Sequence, residues 1–405
     1  MAINTDFYLA NKLEKDCCFN VFNPLEIAFT HGKGVYLYDT EGRKYVDMIG
    51  GIAVNSLGHA NKALTKTIAE QSKKLIHCCN YYVIPQRADL AFRLCNLSFA
   101  DKCFFCSSGA EANEAAIKLA RGYFYHNGSP RRDIITAKMS FHGRTLGTIN
   151  ATGQEIFRKP FGPDCPGFDY VEFNNIDALK EKITPNTAAV MLELIQGESG
   201  VTPANKEYIQ AVRKLCTDND IILIIDEVQT GIGRTGRMFC YENYGITPDI
   251  MTLAKGLGGG VPIGAMLSTN KFASGFEVGD HGSTFGGNPL CFACGNTVLD
   301  EIVSKDILAN VNEVSNALFA RLTAMQKKYP VIREVRGKGL LIGIEFAELI
   351  GAKELKLSLL NEGFLVSSIG SSVIRIAPPL IISKYEAMKF CSALEGILKT
   401  KVKIK

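Results

Sequence analysis

Residues 221–260 read IILIIDEVQTGIGRTGRMFCYENYGITPDIMTLAKGLGGG. Two short apolar runs in this stretch, Ile221–Ile225 and Ile250–Ala254, are each bounded by turn residues, the pattern of strands buried on both faces of a parallel sheet. Each run ends in a charge, Asp226 after the first and Lys255 after the second. A carboxylate or amine at the edge of a buried strand is costly without a partner. Carboxyl ends of strands are also where α/β sheets place ligands.

Lys255 stands ahead of Gly256, Gly258, Gly259 and Gly260, which keep the backbone thin and leave the amine uncrowded. A desolvated lysine has a lowered pKa and becomes nucleophilic near neutrality, as imine formation with a bound aldehyde requires. An aspartate facing a pyridinium nitrogen is the matching need of pyridoxal phosphate. A competing motif overlaps: Gly231-Ile-Gly-Arg-Thr-Gly236 fits G-x-G-x-x-G after a strand, with Asp249 near the dinucleotide spacing. That fingerprint needs a helix to start on its glycines. Met238–Pro248 instead holds aromatics, Gly245 and Pro248 with no helical apolar stripe, so a nucleotide-binding oxidoreductase is disfavoured.

At 405 residues the chain is long enough for two or three domains and a large core. Apolar content of 46% and charged content of 21% are those of an ordinary globular protein. The net charge of +4 is small for this length, and the KTKVKIK end reads as a solvated tail, so no nucleic-acid partner is expected. Met1–Asn20 lacks the apolar core of a signal peptide, and no run is long enough to cross a membrane; a cytoplasmic enzyme without a membrane partner is expected. Thirteen scattered cysteines suit reduced thiols. Cys103–Cys106 and Cys291–Cys294 are both C-x-x-C, but their wide separation and apolar setting favour inert thiols over a metal site, and no metal is expected.

The first 57 or so residues suggest an extended arm and a hairpin turning at Asp39–Gly42, and the spacing Leu64, Ile68, Leu75 predicts a helix over 61–75. Asn80-Tyr81-Tyr82 reads as a loop whose tyrosines face either core or ligand. Ser108 and Glu111 form an S-x-x-E capping box ahead of an alanine-rich helix, and the free amides near Gly109 and Ala110 suit a phosphate. Ile134–Ala137 reads as a strand delivering Phe141 and Arg144, a pair able to stack on a ring and clamp a carboxylate. Ala188–Ile195 is a further strand leading to Gln196-Gly-Glu198, with a helix near 205–217. Strands alternating with helices across about 100–265 predict an α/β fold with a largely parallel sheet. His281–Pro289 is a glycine-rich loop with hydroxyls before a long helix, and a smaller α+β region follows. The expected division is 1–60 for the arm and hairpin, packing with the small domain, 61–300 for a large domain, and 301–405 for the small domain.

With these motifs in view the chain resembles the class III, ornithine-type aminotransferases that use pyridoxal phosphate and have fold type I. The resemblance runs from GVYLYDTEGRKYVD through GIAVNSLGHAN, SSGAEANEAAIKLAR, SFHGRT, IQGESG, DEVQTGIGRTG, LAKGLGGGVPIGA, HGSTFGGNPL and RGKGLLIGIEF to IRIAPPL, nearly the whole chain. It implies a mostly parallel seven-stranded sheet sandwiched by helices, and a homodimer with sites at its interface. By the same resemblance Lys255 is the Schiff-base lysine and Asp226 the partner of the pyridine nitrogen. Glu227 lies among the cofactor-facing residues, Phe141 and Val228 flank the ring, and Gln229 reaches the ring oxygen. Ser108, Gly109 and Ala110 hold the phosphate, and Thr284 the phosphate of the neighbouring subunit. Arg144 with Ser283 nearby takes the substrate carboxylate, Arg375 the α-carboxylate of glutamate, and Glu198 covers Arg375 when the other substrate is bound.

Two positions depart from the family pattern, Ser107 where Asn is usual and Leu194 where Pro is usual. His142 after Phe141 sides with the acetylornithine branch rather than the ornithine branch, which tends to carry Trp there. The implied reaction is ping-pong transamination of N2-acetylornithine with 2-oxoglutarate, giving N-acetylglutamate 5-semialdehyde and glutamate, with succinylornithine, ornithine and 4-aminobutyrate as alternative donors.

Overall fold

The computed structural model describes residues 7–347 and 351–401. Residues 1–6 of the expected arm and 402–405 of the basic tail lie outside the described residues. The arm contains a helix, Phe7–Cys17, none of whose residues is buried. Reading this segment as extended overlooked a run of good helix formers, Leu9, Ala10, Lys12, Leu13, Glu14 and Lys15. Strands β1 (Phe29–Lys33), β2 (Tyr36–Asp39) and β3 (Lys44–Asp47) follow as an antiparallel meander, β2 and β3 forming the expected hairpin. The predicted amphipathic helix spans Lys62–Ser72, its N-cap Asn61 accepting from the Leu64 amide at 3.0 Å. It buries Leu64 but stops short of Leu75, which is 45% exposed.

The centre is a seven-stranded sheet of β4 (Lys102–Cys106), β5 (Asp133–Ala137), β6 (Phe168–Val171), β7 (Thr187–Glu193), and, after a short hairpin of β8 (Ile195–Gln196) and β9 (Thr202–Pro203), β10 (Ile222–Asp226), β11 (Ile250–Leu253) and β12 (Gly264–Ser268). Its order is β4-β12-β11-β10-β7-β5-β6, and β12 alone runs against the others, so the sheet is mostly parallel as expected. Both faces are buried, and the period of two sorts them. Ala189, Met191, Ile222, Ile224 and Ile250 face the helix Gly109–His126, packing on its Ala115, Ala116 and Leu119. Val190, Leu192, Leu223, Ile225 and Leu253 face the other way into the larger core.

The segment Gly231–Gly236 is a turn rather than a helix start: Ile232, Gly233 and Gly236 have positive φ, and only a single 3-10 turn, Cys240–Asn243, follows. The long helix Pro289–Ser304 then leads to a four-stranded sheet of β13 (Ile332–Lys338), β14 (Leu341–Phe346), β16 (Ser367–Ile369) and β17 (Val373–Ile376), in the order β13-β14-β17-β16. Between them in sequence, β15 (Phe364–Leu365) pairs in parallel with β3, joining the N-terminal meander to the C-terminal region. All thirteen cysteines are free thiols. No helix among the described residues is long and apolar enough to cross a membrane.

Candidate active site

A cavity of about 460 Å³ opens at the carboxyl edge of β7, β10 and β11, lined by Glu193, Asp226 and Lys255. A larger one of about 600 Å³ lies at the opposite edge, but its ions are already matched, Arg213 with Asp249 at 2.8 Å and Lys271 with Asp220 at 3.2 Å. The chemistry therefore belongs to the smaller cavity. Ten residues singled out from the sequence line it: Ser108, Gly109, Ala110, Phe141, Arg144, Glu198, Asp226, Val228, Gln229 and Lys255.

Asp226 is the last residue of β10 and 4% exposed. Its Oδ1 accepts from the Val228 amide at 2.9 Å, and its Oδ2 accepts from Asn113 Nδ2 and lies 2.8 Å from His142 Nδ1. Lys255 follows β11 with φ of +43°, a left-handed value that L residues rarely adopt and that holds the amine at the strand edge. Burial lowers the Lys255 pKa, with the Glu198 carboxylate pulling the other way. Ser108 caps the helix Gly109–His126, its hydroxyl accepting from the Glu111 amide at 3.2 Å. The Glu111 carboxylate reaches back to the Ser107 amide, one residue earlier than a regular capping box. Gly109 must be glycine, because a Cβ there would stand 2.7 Å from Val228 Cγ1.

Arg375 on β17 does not line the cavity itself but holds Glu198, which does. Its Nη1 donates to Glu198 Oε1 at 2.5 Å and to Gly197 O at 2.9 Å, and its Nε to Ser367 Oγ at 3.1 Å. Burial alone would raise the Glu198 pKa, but the charge and hydrogen bond of Arg375 outweigh it and hold the carboxyl below its ordinary value. Arg144 is exposed and stacks over Phe157 at 4.1 Å and Phe141 at 5.5 Å. Among the described residues no carboxylate pairs with it, so its guanidinium is open to an anion.

One expectation is corrected. Glu227 does not face the cofactor cavity: its carboxylate accepts from the Cys240 and Tyr241 amides at 2.6 and 2.7 Å and from the Thr230 hydroxyl at 3.3 Å. Consecutive side chains at a strand end point to opposite faces, so the neighbour of Asp226 turns away from it. Ser283 is not among the residues that line this cavity. It lines a separate cavity of about 260 Å³ with Asn80, Arg87 and His281, and Thr284 beside it is exposed. Tyr81 and Tyr82 are 93% and 65% exposed and face neither core nor cavity.

Sequence reasoning passed over two cavity residues and half of a third. Glu193, the end of β7, accepts from the Phe141 amide at 2.9 Å and the Gly197 amide at 3.3 Å, and burial pushes its carboxyl up to about 7. Its strand-end position was the available signal. Asn113 is a polar residue on the alanine-lined buried face of its helix, and His142 was noted only as a branch marker.

The donor set fits one cofactor. Bare amides at a helix start suit a phosphate, a buried carboxylate suits a protonated ring nitrogen, and a low-pKa amine suits an aldehyde. The fold and this cavity define an enzyme dependent on pyridoxal phosphate.

A family model for class-III aminotransferases matches residues 20–398, and the chain belongs to that family. The acetylornithine aminotransferase of Caldanaerobacter subterraneus subsp. tengcongensis is 48% identical over 386 residues, 95% of this chain and 98% of the relative. Among solved structures, the ornithine aminotransferase of Toxoplasma gondii superposes with a TM-score of 0.94 at 27% identity, covering 98% of this chain and 96% of its own. The N-acetylornithine aminotransferase of Stenotrophomonas maltophilia superposes with a TM-score of 0.83 at 35% identity, covering 96% and 98%. The protein is an aminotransferase whose cofactor is pyridoxal phosphate.

Proposed function

We propose that the enzyme transfers the side-chain amino group of N2-acetylornithine to 2-oxoglutarate, giving N-acetylglutamate 5-semialdehyde and glutamate, as a step of arginine biosynthesis. The observation that carries this reading is the Glu198–Arg375 pair at 2.5 Å, whose carboxylate lines the Lys255 cavity. Acetylornithine reacts through an amine several carbons from its α-carboxylate, whereas glutamate reacts through the amine next to it. A site serving both needs a cation that is masked for one substrate and bare for the other. The 48% identity to a relative named acetylornithine aminotransferase supports that donor over ornithine, the donor in the name of the Toxoplasma structure at 27%.

Pyridoxal phosphate, when bound, supplies an aldehyde carbon and an electron-withdrawing ring. The chain supplies the rest. Lys255 Nζ, whose pKa burial lowers, would take the proton from the carbon that bears the substrate amine and return it during transfer. Asp226, fixed by three contacts, would hold a proton on the ring nitrogen. When the cofactor is bound, Val228 and Phe141 would flank its ring, Gln229 would meet its oxygen, and the amides of Ser108, Gly109 and Ala110 would hold its phosphate. Arg144 takes the α-carboxylate of acetylornithine. In the other half-reaction Glu198 swings off Arg375, which then takes the α-carboxylate of glutamate.

The working unit in this reading is a cytoplasmic homodimer. Thr284, exposed on a loop outside the chain's own cavity, contributes to the phosphate site of the partner subunit. Residues 1–60, 61–300 and 301–405 form the arm with its hairpin, the large domain and the small domain, and the β3–β15 pairing supports docking the first on the third. A panel of N-acetylornithine, succinylornithine, ornithine and 4-aminobutyrate, scored by glutamate formed from 2-oxoglutarate, tests the assignment. The highest kcat/KM is expected with N-acetylornithine, and a higher value with another donor overturns it.

A further inference from the structure

Three polar residues stand in one row across the sheet. Asp226 pairs in register with Glu193 on β7 and with Thr252 on β11, and the period of two turns all three toward the helix Gly109–His126. Asn113, 1% exposed, meets this row from the helix. Its Nδ2 donates to Asp226 Oδ2 at 2.8 Å and to His142 O at 2.7 Å, while its Oδ1 accepts from the Thr252 hydroxyl at 2.7 Å. The network allows one orientation of the amide only. Reversed, its oxygen would oppose a carboxylate oxygen and a carbonyl, and its NH2 would face a hydroxyl whose proton has no other acceptor among these groups. Thr252 is itself fully buried, so this hydroxyl has no exchange with water to fall back on.

We propose that Asn113 is a positioning residue, oriented by Thr252, which sets the Asp226 carboxylate and the 141–144 loop as one unit. A single amide thereby fixes the partner of the ring nitrogen together with the loop that carries Phe141 and Arg144. His142 completes the arrangement. A carboxylate oxygen can only accept, so His142 Nδ1 carries the proton it shares with Oδ2, and Asp226 Oδ2 has a donor on either side. Its Oδ1 takes the Val228 amide. The carboxylate thus has no freedom to rotate without breaking a contact to a different element on every side: helix, loop and strand-end turn. This inference rests on the assignment of Asp226 as the cofactor's partner.

The test measures the dissociation constant of pyridoxal phosphate from the apoenzyme by equilibrium dialysis, for Asn113→Leu, Thr252→Val, their double variant, Thr252→Ser and Asp226→Asn. Asn113→Leu is expected to weaken binding roughly tenfold, as the loss of a hydrogen bond to a charged group does. Thr252→Val, which never touches the cofactor in this scheme, should weaken it about threefold, and Thr252→Ser should restore it. Because Thr252 acts through Asn113, the double variant should bind no more weakly than Asn113→Leu alone. A merely structural role would lower the melting temperature and leave the dissociation constant unchanged. If Asn113→Leu does not fold, the Thr252 pair, one of them isosteric and one retaining the hydroxyl, carries the test. Weakened Asp226→Asn beside unchanged Asn113→Leu and Thr252→Val overturns the relay alone, as do multiplying effects in the double variant. An unchanged Asp226→Asn overturns the site assignment and the relay with it.

Discussion

Arg375 Nη1 and Glu198 Oε1 are 2.5 Å apart, and the two partners are unequally buried, the arginine side chain 4% exposed and the glutamate 29%. The inequality says which of them moves. Arg375 is anchored by Gly197 O and Ser367 Oγ, whereas among the described residues Glu198 has only Gln229 Nε2, at 3.3 Å, as a further hydrogen-bond partner. Removing Glu198 leaves a buried cation bare, and a bare cation favours any carboxylate brought to it. Glu198→Ala is therefore expected to leave or speed the glutamate half-reaction and to slow the acetylornithine half-reaction about tenfold, through misplaced binding. Single-turnover absorbance changes with each substrate separate the two. Equal slowing of both would make Glu198 a structural residue.

Lys255→Ala should reduce turnover by roughly four orders of magnitude or more, since it removes both nucleophile and proton carrier. Folding should survive, because the lost side chain lines the cavity and its removal does not open the core. The φ of +43° remains as a modest strain. Circular dichroism and gel filtration check the fold, and amine to keto-acid exchange checks the chemistry. Exchange near the wild-type rate would exclude Lys255 as the proton carrier.

Features legible in the sequence were those whose cause is local. Asp226 and Lys255 break apolar runs, and Ser108 caps a helix through a residue three positions away, so neighbouring letters suffice. Glu227 was placed at the cofactor by the family resemblance alone, and strand alternation turns it to the face opposite Asp226. Asn113 could not be read as part of the site at all. Its partners are 29, 113 and 139 residues away, brought together by the register of β10 and β11 and the pitch of one helix. The N-terminal helix, none of whose residues is buried, was missed although its helix formers and the Leu9, Leu13, Cys17 spacing are local. Thr284 is legible only through the family resemblance, since within one chain it touches no part of the cavity.

If Thr284 completes the partner's site, subunits with different lesions should complement one another. Thr284→Ala is expected to weaken cofactor binding about tenfold in the homodimer. Mixed with Lys255→Ala, it should give heterodimers in which one site carries both lesions and the other neither. Half of the sites in each heterodimer then work, although the Lys255→Ala parent is inactive and the other parent is starved of cofactor at low pyridoxal phosphate. Activity at limiting cofactor, measured after subunit exchange verified by mass spectrometry, is the readout. No recovery under those conditions would argue that Thr284 serves its own chain or none.

Glu227 provides a pH-dependent check on the corrected assignment. Burial pushes its carboxyl up to about 7, although the Cys240 and Tyr241 amides and the Thr230 hydroxyl pull it down. In the unfolded chain the same group titrates near 4.5. Between these values the folded protein keeps a proton that the unfolded chain has released. The folded state then binds more protons, so this group's contribution to stability falls as pH rises from about 4.5 to 7 and is level outside that window. Glu227→Gln abolishes the titration while keeping the side chain's size. The stability of wild type relative to the Gln variant should accordingly decline across the window, by up to about 3 kcal/mol. Denaturant midpoints of the two apoenzymes at matched concentration, from pH 4.5 to 8, give the difference. Because the carboxylate faces the Cys240–Asn243 turn and not the cavity, the dissociation constant for pyridoxal phosphate at pH 7 should stay within about twofold of wild type. A stability difference that does not change with pH, or a loss of cofactor affinity as large as that of Asp226→Asn, would return Glu227 to the cofactor site.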